Sequence, residues 1–316
     1  MSGNAKQHTL FSDATLSHTH PIAISEKRAD TSMGKLDGTV ALITGGAKGS
    51  GRSHALTLAR EGADIALLDN CISDVAGQNY PGGSQKELDK TRKLVSDLGR
   101  RCIGIVADVR DDEAMVTAAQ QTLDEFGRID HLLSSAGIIL QFGKLADISP
   151  QQWRTVIDTN LTGVYNVCRA VLPHMVARRA GNIVITSSTA GRAAYPNISD
   201  YGASKWAVIG LMKTLAVEYG EYGIRANCVA PTNVNSGDLP SMNNNENAYK
   251  LFCPDIANPT REQMTERMKT MHALDVPGVD WQDVSNAYLF LLSQEARMIT
   301  GEVLHVSAGL TANNIA

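Results

Sequence analysis

The sequence lacks long apolar runs, closely spaced cysteines and a strong net charge. No run of about 18 apolar residues occurs in its 316 residues, so no transmembrane helix is expected. The five cysteines are scattered without C-x-x-C spacing, which is typical of reduced cytosolic thiols. A net charge of −4 gives no basic groove for nucleic acid and no attraction to an anionic membrane. We therefore expect a cytoplasmic protein with neither nucleic-acid nor membrane partners.

The first 35 residues differ from the rest of the chain. They are polar, with no sustained apolar period, and indicate a disordered N-terminal tail. Three histidines in this tail, His8, His18 and His20, have no carboxylate or thiol to complete a metal site. We predict no bound metal and place the folded domain at residues 36–316.

From Leu36 onward, short apolar segments alternate with helical stretches. Continuous apolar segments are typical of parallel strands that are covered on both faces. Regular alternation of strand and helix favours a doubly wound sheet, because parallel crossovers are right-handed and usually helical. The sequence therefore predicts a single α/β domain, a Rossmann-type parallel sheet of about seven strands with helices on both faces. The predicted strands are 40–43, 64–68, 101–106, 129–133, 182–186, 224–229 and 303–306. Later helices are predicted at about 85–98, 111–126, 149–178, 201–219 and 281–293, and long loops at about 70–84 and 232–258.

A glycine-rich turn follows the first predicted strand and opens the first helix. Its sequence, residues 44–51, reads Thr-Gly-Gly-Ala-Lys-Gly-Ser-Gly. Glycines allow the backbone to approach a pyrophosphate closely, and the helix N-terminus supplies N–H groups and a positive dipole end. This position between strand and helix predicts a dinucleotide site. The predicted contacts are Gly45, Lys48, Gly49, Ser50 and Gly51.

Asp69 ends the second strand, 18 residues after Gly51. A carboxylate there accepts hydrogen bonds from both adenosine ribose hydroxyls and repels a 2′-phosphate, which favours NAD over NADP. Lys48 is the one residue of the turn that could contact a 2′-phosphate. Asp108 and Val109, at the end of the third strand, are expected to border the adenine.

Tyr201 and Lys205 are four residues apart and so share one face of a helix. A lysine ammonium beside a tyrosine, together with the positive nicotinamide, favours the phenolate and lowers the phenol pKa from about 10, as acid–base chemistry near neutral pH requires. Ser188 follows an apolar strand whose end lines the ligand crevice, so it is placed to bind a substrate oxygen. Asn160, a polar side chain within a long helix, is expected to hold a water beside Lys205.

These motifs, in this order, resemble the short-chain dehydrogenase/reductase family over about residues 36–310. Further matches are Ser135-Ala136-Gly137 and the stretch from Gly223 to Pro231. The resemblance implies a tetrad of Asn160, Ser188, Tyr201 and Lys205, with Tyr201 as the acid–base and Lys205 binding the nicotinamide ribose. It adds predicted cofactor contacts at Ser135, Ala136, Gly137, Tyr201, Lys205, Pro231, Val234 and Ser236.

Three positions depart from the usual family pattern. Ser135 stands in place of an asparagine, Thr232 in place of the glycine after Pro231, and Ser307 in place of an aspartate. None of these changes removes a group of the tetrad. The first is expected to loosen the packing of the sheet or the cofactor.

Finer features resemble the carveol dehydrogenase-like, mycofactocin-associated branch of the family. They include a long insert after Asp69 that reaches Pro81, and the late stretch 249–255. The resemblance implies a tightly held NAD(H) that an external redox carrier re-oxidises. It implies secondary alcohols such as monocyclic terpenols as substrates, and a protein that forms a tetramer or dimer. It places the insert, residues 70–84, over the adenosine end and a substrate lid at about 232–275. The side chains expected to suit an apolar ligand are Met242, Tyr249, Leu251, Phe252, Met264, Met268 and Met271, although ordinary helix packing explains the last three equally well.

The sequence therefore predicts an NAD-dependent oxidoreductase that interconverts a secondary alcohol and a ketone. A 3-oxoacyl-thioester or polyketide ketoreductase is the alternative within the same class, and Asp69 and the net charge argue against it. A nucleotide-binding protein without catalysis is the alternative of a different class, since fold alone does not determine function.

Overall fold

Residues 34–236, 241–242 and 244–312 are described by the structure, a computed structural model. The apolar segments of the sequence form the strands of the main sheet, and the central strands among them bury side chains on both faces. The strands are β1 (Val40–Thr44), β2 (Asp64–Asp69), β3 (Cys102–Val106), β4 (His131–Ser134), β5 (Gly181–Thr186), β6 (Ile224–Pro231), β7 (Val234–Asn235), β8 (Val279–Asp280) and β9 (Val303–Val306).

Helices connect almost all of these strands. They are α1 (Gly49–Arg60), α2 (Gln85–Asp97), α3 (Asp112–Phe126), α4 (Pro150–Ile157), α5 (Gly163–Arg178), α6 (Ser199–Tyr219), α7 (Glu246–Phe252), α8 (Arg261–Met271) and α9 (Trp281–Leu292). A π-helical turn, Asp158–Thr162, joins α4 to α5. Short 3₁₀ turns lie at Leu145–Asp147, Thr189–Gly191, Gly220–Tyr222 and Gln294–Ala296.

Seven parallel strands form the main sheet, in the order β3-β2-β1-β4-β5-β6-β9. Successive side chains of a strand point to opposite faces. Leu42 of β1 accordingly packs in a core with α3, α5 and α6, and its neighbour Ile43 packs in a second core with α1 and α9. Both faces are covered, as the predicted doubly wound sheet requires, and this prediction is confirmed.

The structure differs from the predicted elements in two places. The helix predicted over 149–178 is interrupted by the π-helical turn, which contains Asn160. The stretch 232–258, predicted as a long loop, contains β7 and the short helix α7, which begins after the capping side chain of Asn245. The predicted disordered tail lies outside the described residues, except for its last two positions.

Strand order reverses between β1 and β4, which are neighbours in the sheet although β2 and β3 separate them in sequence. The chain leaves the carboxyl ends of these two strands in opposite directions, which opens a crevice between them. The glycine-rich turn follows β1, and the loop of Ser135, Ala136 and Gly137 follows β4. The fold therefore brings two of the predicted cofactor segments together at this point.

Candidate active site

A cavity of about 1270 Å³ lies at the carboxyl ends of the parallel strands. This volume exceeds the roughly 300–1,000 Å³ typical of a site for one small ligand. Ser188, Tyr201 and Lys205 line it together with every other residue predicted to contact the cofactor: Gly45, Lys48, Gly49, Ser50, Gly51, Asp69, Asp108, Val109, Ser135, Ala136, Gly137, Pro231, Val234 and Ser236. Asn160 of the predicted tetrad is fully buried behind this lining.

The glycine-rich turn packs its own backbone closely enough to exclude side chains. A Cβ at Gly51 would lie 2.1 Å from the carbonyl oxygen of Gly45, so only glycine fits there. Helix α1 then begins at Gly49 after Lys48, whose side chain makes no capping hydrogen bond. The side chains of Ser84, Asp111 and Ser149, by contrast, cap the next three helices. An uncapped N-terminus that faces a cavity is suited to an anion such as a pyrophosphate.

Asp69 lies at the carboxyl end of β2, between the glycine-rich turn and the insert. One carboxylate oxygen accepts the backbone N–H of Ala47 at 3.1 Å, and the other accepts that of Cys71 at 3.0 Å. Burial raises the pKa of Asp69, and these two hydrogen bonds and the charge of Lys48 act in the opposite direction. Each oxygen keeps a further lone pair for a ligand hydroxyl, so the predicted ribose contact remains available.

Both cations beside Asp69 are bound to other groups of the protein. Lys48 Nζ donates to the carbonyl oxygen of Pro81 at 3.0 Å. The guanidinium of Arg52 pairs with the carboxylate of Glu87 and donates to the Ala47 carbonyl at 2.7 Å. Arg52 was not predicted from the sequence as a residue of the site. A ligand phosphate close to Asp69 would be repelled by its carboxylate.

Tyr201, Ser188 and Lys205 meet at the carboxyl end of β5. Tyr201 lies in the first turn of α6, and its side chain lines the cavity together with that of Ser188. Lys205 follows one turn later, with Nζ 5.5 Å from the centroid of the Tyr201 ring. Its ammonium donates to the carbonyl oxygen of Thr186 at 2.9 Å. The predicted helix-face pair is therefore a buried cluster with Ser188 at its open side.

The pKa of Tyr201 moves in the direction opposite to the one expected from Lys205. Burial raises the pKa of Tyr201, and only the hydrogen bond with Ser188 lowers it. Burial also lowers the pKa of Lys205, to about 8, because the ammonium is removed from water. Desolvation by burial therefore dominates the Tyr201 pKa in the protein alone, and the lowering expected from Lys205 together with a bound nicotinamide stays a prediction.

Asn160 uses its side chain to hold the loop after β4. Its Oδ1 accepts the backbone N–H of Ile138 at 2.8 Å, and its Nδ2 donates to the Ile138 carbonyl at 2.8 Å and to Ser204 Oγ at 3.2 Å. A Cβ at Gly137 would lie 3.4 Å from both Asn160 Oδ1 and Lys205 Nζ. Gly137 therefore lies between Asn160 and Lys205, the water expected there stays a prediction, and π-helical turns of this kind are frequent at functional sites.

An apolar cluster surrounds Tyr201 on the side away from the glycine-rich turn. It combines segments that are distant in sequence: Val75, Tyr80, Ile138, Ile139, Leu140, Phe142, Val156, Ala190, Tyr195, Ile198, Met242 and Leu251. Of these side chains, only Met242 and Leu251 were predicted to suit an apolar ligand, because the sequence around the other positions carries no local signal of a shared cavity. Most of these side chains line the cavity, so its Tyr201 end suits an apolar ligand.

The remaining side chains predicted for the lid divide between the cavity and a small core of their own. Phe252, Met268 and Met271 line the cavity and also pack against Cys253. Met264 and Tyr249 belong to the core and not to the cavity lining. Ordinary helix packing is therefore the better interpretation of Met264, whereas Met268 and Met271 take part in both.

The three departures from the family pattern have visible contacts. The backbone N–H groups of Ser135 and Ala136 both donate to the Thr44 hydroxyl, at 3.0 and 3.1 Å, which ties the β4 loop to β1 without an asparagine. Thr232 hydrogen-bonds through its hydroxyl to His272 Nε2 at 2.9 Å. Ser307 hydrogen-bonds to Thr311 at 3.0 Å.

Two other kinds of feature are absent from the described residues. None of the helices in residues 34–236 and 244–312 is long and apolar enough to cross a membrane. Within the same ranges, no group of three or more histidine, cysteine, aspartate or glutamate side chains is arranged to hold a metal ion.

The fold and the cavity together define a Rossmann-type oxidoreductase, and comparison with known proteins gives its family. The family model for short chain dehydrogenases matches residues 39–247. The (−)-trans-carveol dehydrogenase of Rhodococcus erythropolis is 46% identical over 280 residues, which cover 88% of this chain and 99% of that protein. The chain belongs to the short-chain dehydrogenase family, and the predicted family is confirmed.

Solved structures agree with this assignment. The crystal structure of carveol dehydrogenase from Mycobacterium avium in complex with NAD has a TM-score of 0.84 and 43% identity, and it covers 89% of this chain and 100% of that one. A short chain dehydrogenase from Mycobacterium paratuberculosis bound to NAD has a TM-score of 0.77 and 32% identity, covering 88% and 100%. The chain therefore matches these structures along their whole lengths.

Proposed function

We propose that this chain is an NAD-dependent oxidoreductase that interconverts an apolar cyclic secondary alcohol and its ketone. One observation carries the proposal. The side chains of Tyr201 and Ser188, with Lys205 beside them, line the same cavity as the uncapped N-terminus of α1. The Rhodococcus relative named for trans-carveol and the Mycobacterium structure that contains NAD support both halves of the assignment.

The residues present fit NAD. The N-terminus of α1 would hold the pyrophosphate, and Asp69 would accept the adenosine ribose hydroxyls. A 2′-phosphate at this position would be repelled by the carboxylate of Asp69. Asp108 and Val109 would border the adenine, and Lys205 with the loop of Ser135, Ala136 and Gly137 would hold the nicotinamide half. These assignments favour NAD over NADP.

Bound NAD supplies the acceptor or donor for the hydride. The chain's own residues handle the proton and the orientation of the substrate. Ser188 would hydrogen-bond the alcohol or ketone oxygen, and Tyr201 would take the hydroxyl proton during oxidation and return it during reduction. Lys205 would stabilise the deprotonated tyrosine, while Asn160 fixes the loop that separates it from the cavity.

The cavity favours this function over the two alternatives. A 3-oxoacyl-thioester reductase would use NADP and a basic surface for an acidic carrier, whereas Asp69 and the net charge of −4 point the other way. A nucleotide-binding protein without catalysis has no need for a tyrosine, a serine and a buried lysine together in the cavity wall. We assign the apolar cluster around Tyr201 to the substrate, and α7 and α8 to its lid.

The direct test is the reduction of NAD by purified protein with a panel of cyclic secondary alcohols, followed by absorbance at 340 nm. We expect turnover with substituted cyclohexanols and cyclohexenols and weak turnover with short linear alcohols. Turnover with NADP equal to that with NAD, or no turnover with any alcohol or ketone, would contradict the proposal. If the cofactor is retained through purification, an artificial electron carrier must be added to observe repeated turnover.

We also propose that the protein is a cytoplasmic homo-oligomer that associates through α5 and α6. Tyr165 of α5 and Trp206 and Val217 of α6 are exposed, at 51%, 48% and 84%, although they are large and apolar. Exposed apolar side chains grouped on neighbouring elements are typical of protein interfaces. Light scattering on the purified protein tests the assembly, and replacement of Trp206 and Val217 by lysine should produce monomers.

A further inference from the structure

The insert, residues 70–84, reaches both ends of the cavity. Its first and last residues lie beside Asp69, where Cys71 donates its backbone N–H to the carboxylate. A Cβ at Gly83 would lie 2.4 Å from Asp69 Oδ1, so the return of the chain passes directly over the carboxylate. Between these points the insert extends to the apolar cluster around Tyr201, to which Val75 and Tyr80 belong.

Tyr80 makes the contact of the insert with the Tyr201 end. Its hydroxyl donates to the carbonyl oxygen of Ile139 at 3.5 Å and accepts the Ile139 N–H at 3.4 Å. Ile139 belongs to the loop after β4 and is itself part of the cluster. Burial raises the pKa of Tyr80, and the neighbouring Tyr201 raises it further, as expected for two hydroxyls in one low-dielectric space.

The backbone around Tyr80 is fixed on both sides. Gln78 Nε2 donates to the Tyr80 carbonyl at 2.7 Å, and the next carbonyl, that of Pro81, accepts Lys48 Nζ at 3.0 Å. The N–H of Gly82 donates to the Ser73 carbonyl at 2.9 Å, which closes the base of the insert. These contacts fix the backbone from which the Tyr80 side chain projects, and the two hydrogen bonds of its hydroxyl with Ile139 direct the ring into the cavity wall.

We propose that Tyr80 is a specificity-determining residue whose ring forms one wall of the alcohol site and limits the bulk of the substrate beside Tyr201. The inference rests on the proposed function. It assigns to the insert a role at the reacting end of the cavity, in addition to its position over the nucleotide end. Phe142 and Tyr195 contribute to the other parts of the wall, and Tyr80 is the aromatic ring that the insert contributes to the cluster.

The test compares kcat/KM for cyclohexanol with kcat/KM for a bulky derivative, 4-tert-butylcyclohexanol, both with NAD. Tyr80→Ala removes the ring and should raise the bulky-to-small ratio by about tenfold, since an extra group in a hydrophobic pocket changes discrimination by roughly 10- to 200-fold. Tyr80→Phe keeps the ring and should keep the ratio of the unmodified protein. Asn79→Ala is the matched control, because its side chain is exposed and lies outside the cavity lining.

Two outcomes would overturn the proposal, and they can be distinguished. If the unmodified protein oxidises both alcohols and Tyr80→Ala changes only the KM for NAD, the insert covers the nucleotide alone and Tyr80 is not a specificity residue. If the unmodified protein oxidises neither alcohol and reduces neither ketone, the proposed function fails together with the inference. Should Tyr80→Ala fail to fold, Tyr80→Leu gives a smaller increase in the same ratio, and an unchanged ratio in that variant contradicts the proposal.

Discussion

The Asp69 carboxylate is held more firmly than its sequence position indicates. Backbone N–H groups from the glycine-rich turn and from the insert both donate to it, and the neighbouring lysine and arginine are bound elsewhere. Its orientation is thereby fixed before a ligand binds, which reduces the free energy needed to order the site. The preference for NAD over NADP that we propose depends on this one charge.

Replacement of Asp69 by asparagine should relax that preference. The variant keeps the size of the side chain and loses the charge that repels a 2′-phosphate, so the ratio of kcat/KM for NAD to kcat/KM for NADP should fall at least about tenfold. Steady-state kinetics with both cofactors measures the ratio. Asp64→Asn is the control, because Asp64 lies at the opposite end of β2 and pairs with Arg100. An unchanged ratio in Asp69→Asn would show that another group selects the cofactor.

Single residues were predictable from the sequence where a short spacing fixes their geometry. Tyr201 and Lys205 share a helix face, and Ser188 ends a strand, so local rules were enough to place them in one site. Tyr80 was not predictable, because its contact with Ile139 joins positions 59 residues apart and depends on the path of an irregular loop. The direction of the Tyr201 pKa shift also required the structure, since burial cannot be read from spacing.

At the scale of elements, one hydrogen bond joins the residue after β6 to the residue after α8 and so attaches the proposed lid to the sheet. Thr232 follows β6 and His272 follows α8, and both side chains are buried. His272 Nδ1 hydrogen-bonds to the Met268 carbonyl at 2.8 Å, so the ring donates there and its Nε2 accepts the hydroxyl proton of Thr232. The sequence identified Thr232 only as a departure from the family pattern, and the structure gives this residue a contact that a glycine could not make.

Thr232→Val should loosen this attachment. The change preserves shape and leaves the buried Nε2 of His272 without its donor, which should lower the free energy of unfolding by about 1 to 3 kcal/mol. We expect the KM for the alcohol to rise more than kcat falls, because the lid and not the reacting groups is affected. Urea unfolding and steady-state kinetics measure the two effects. Thr270→Val, at an exposed position of α8, should change both much less, and equal effects in the two variants would contradict the assignment.

The strands and the helices differ in how well they could be predicted from the sequence. Strands buried on both faces were predicted within one or two residues, since each is a continuous apolar run. Helices α7 and α8 were not predicted, because they are short and polar and cover the cavity with only a few apolar side chains. The π-helical turn at Asn160 was not predicted either, because the residues on both sides of it form α-helix. The hydrogen bond of Asn160 with Ile138 joins two separate segments and leaves no local signal in the sequence.

At the scale of the whole molecule, two buried histidines make stability dependent on pH. His54 joins α1 to α9 through Ser285, and His131 begins β4 beside Asn182. Burial lowers the pKa of His54 to about 3, and burial also lowers that of His131 to about 4. Both side chains therefore stay neutral in the folded state at pH values where an unfolded histidine, with a pKa near 6.5, binds a proton.

The unfolded state accordingly takes up more protons than the folded state between pH 6.5 and about 4, so stability falls as the pH falls through this window. From pH 7 to pH 5 each histidine should cost roughly 2 kcal/mol, given an unfolded pKa of about 6.5. Urea unfolding at both pH values measures the loss. In His54→Gln the difference between the two pH values should be smaller by about that amount. The same difference in variant and unmodified protein would show that His54 is protonated in the folded state.

The central claim is that Tyr201 carries the proton transfer in an NAD-dependent alcohol oxidation, and Tyr201→Phe tests it most directly. The measurement is kcat for a cyclic secondary alcohol with NAD, together with NAD binding by calorimetry, with Tyr219→Phe at the far end of the same helix as the control. Loss of the hydroxyl should lower kcat by about 10²- to 10⁴-fold and leave NAD binding in place. Unchanged turnover in Tyr201→Phe, with NAD still bound, would contradict the account.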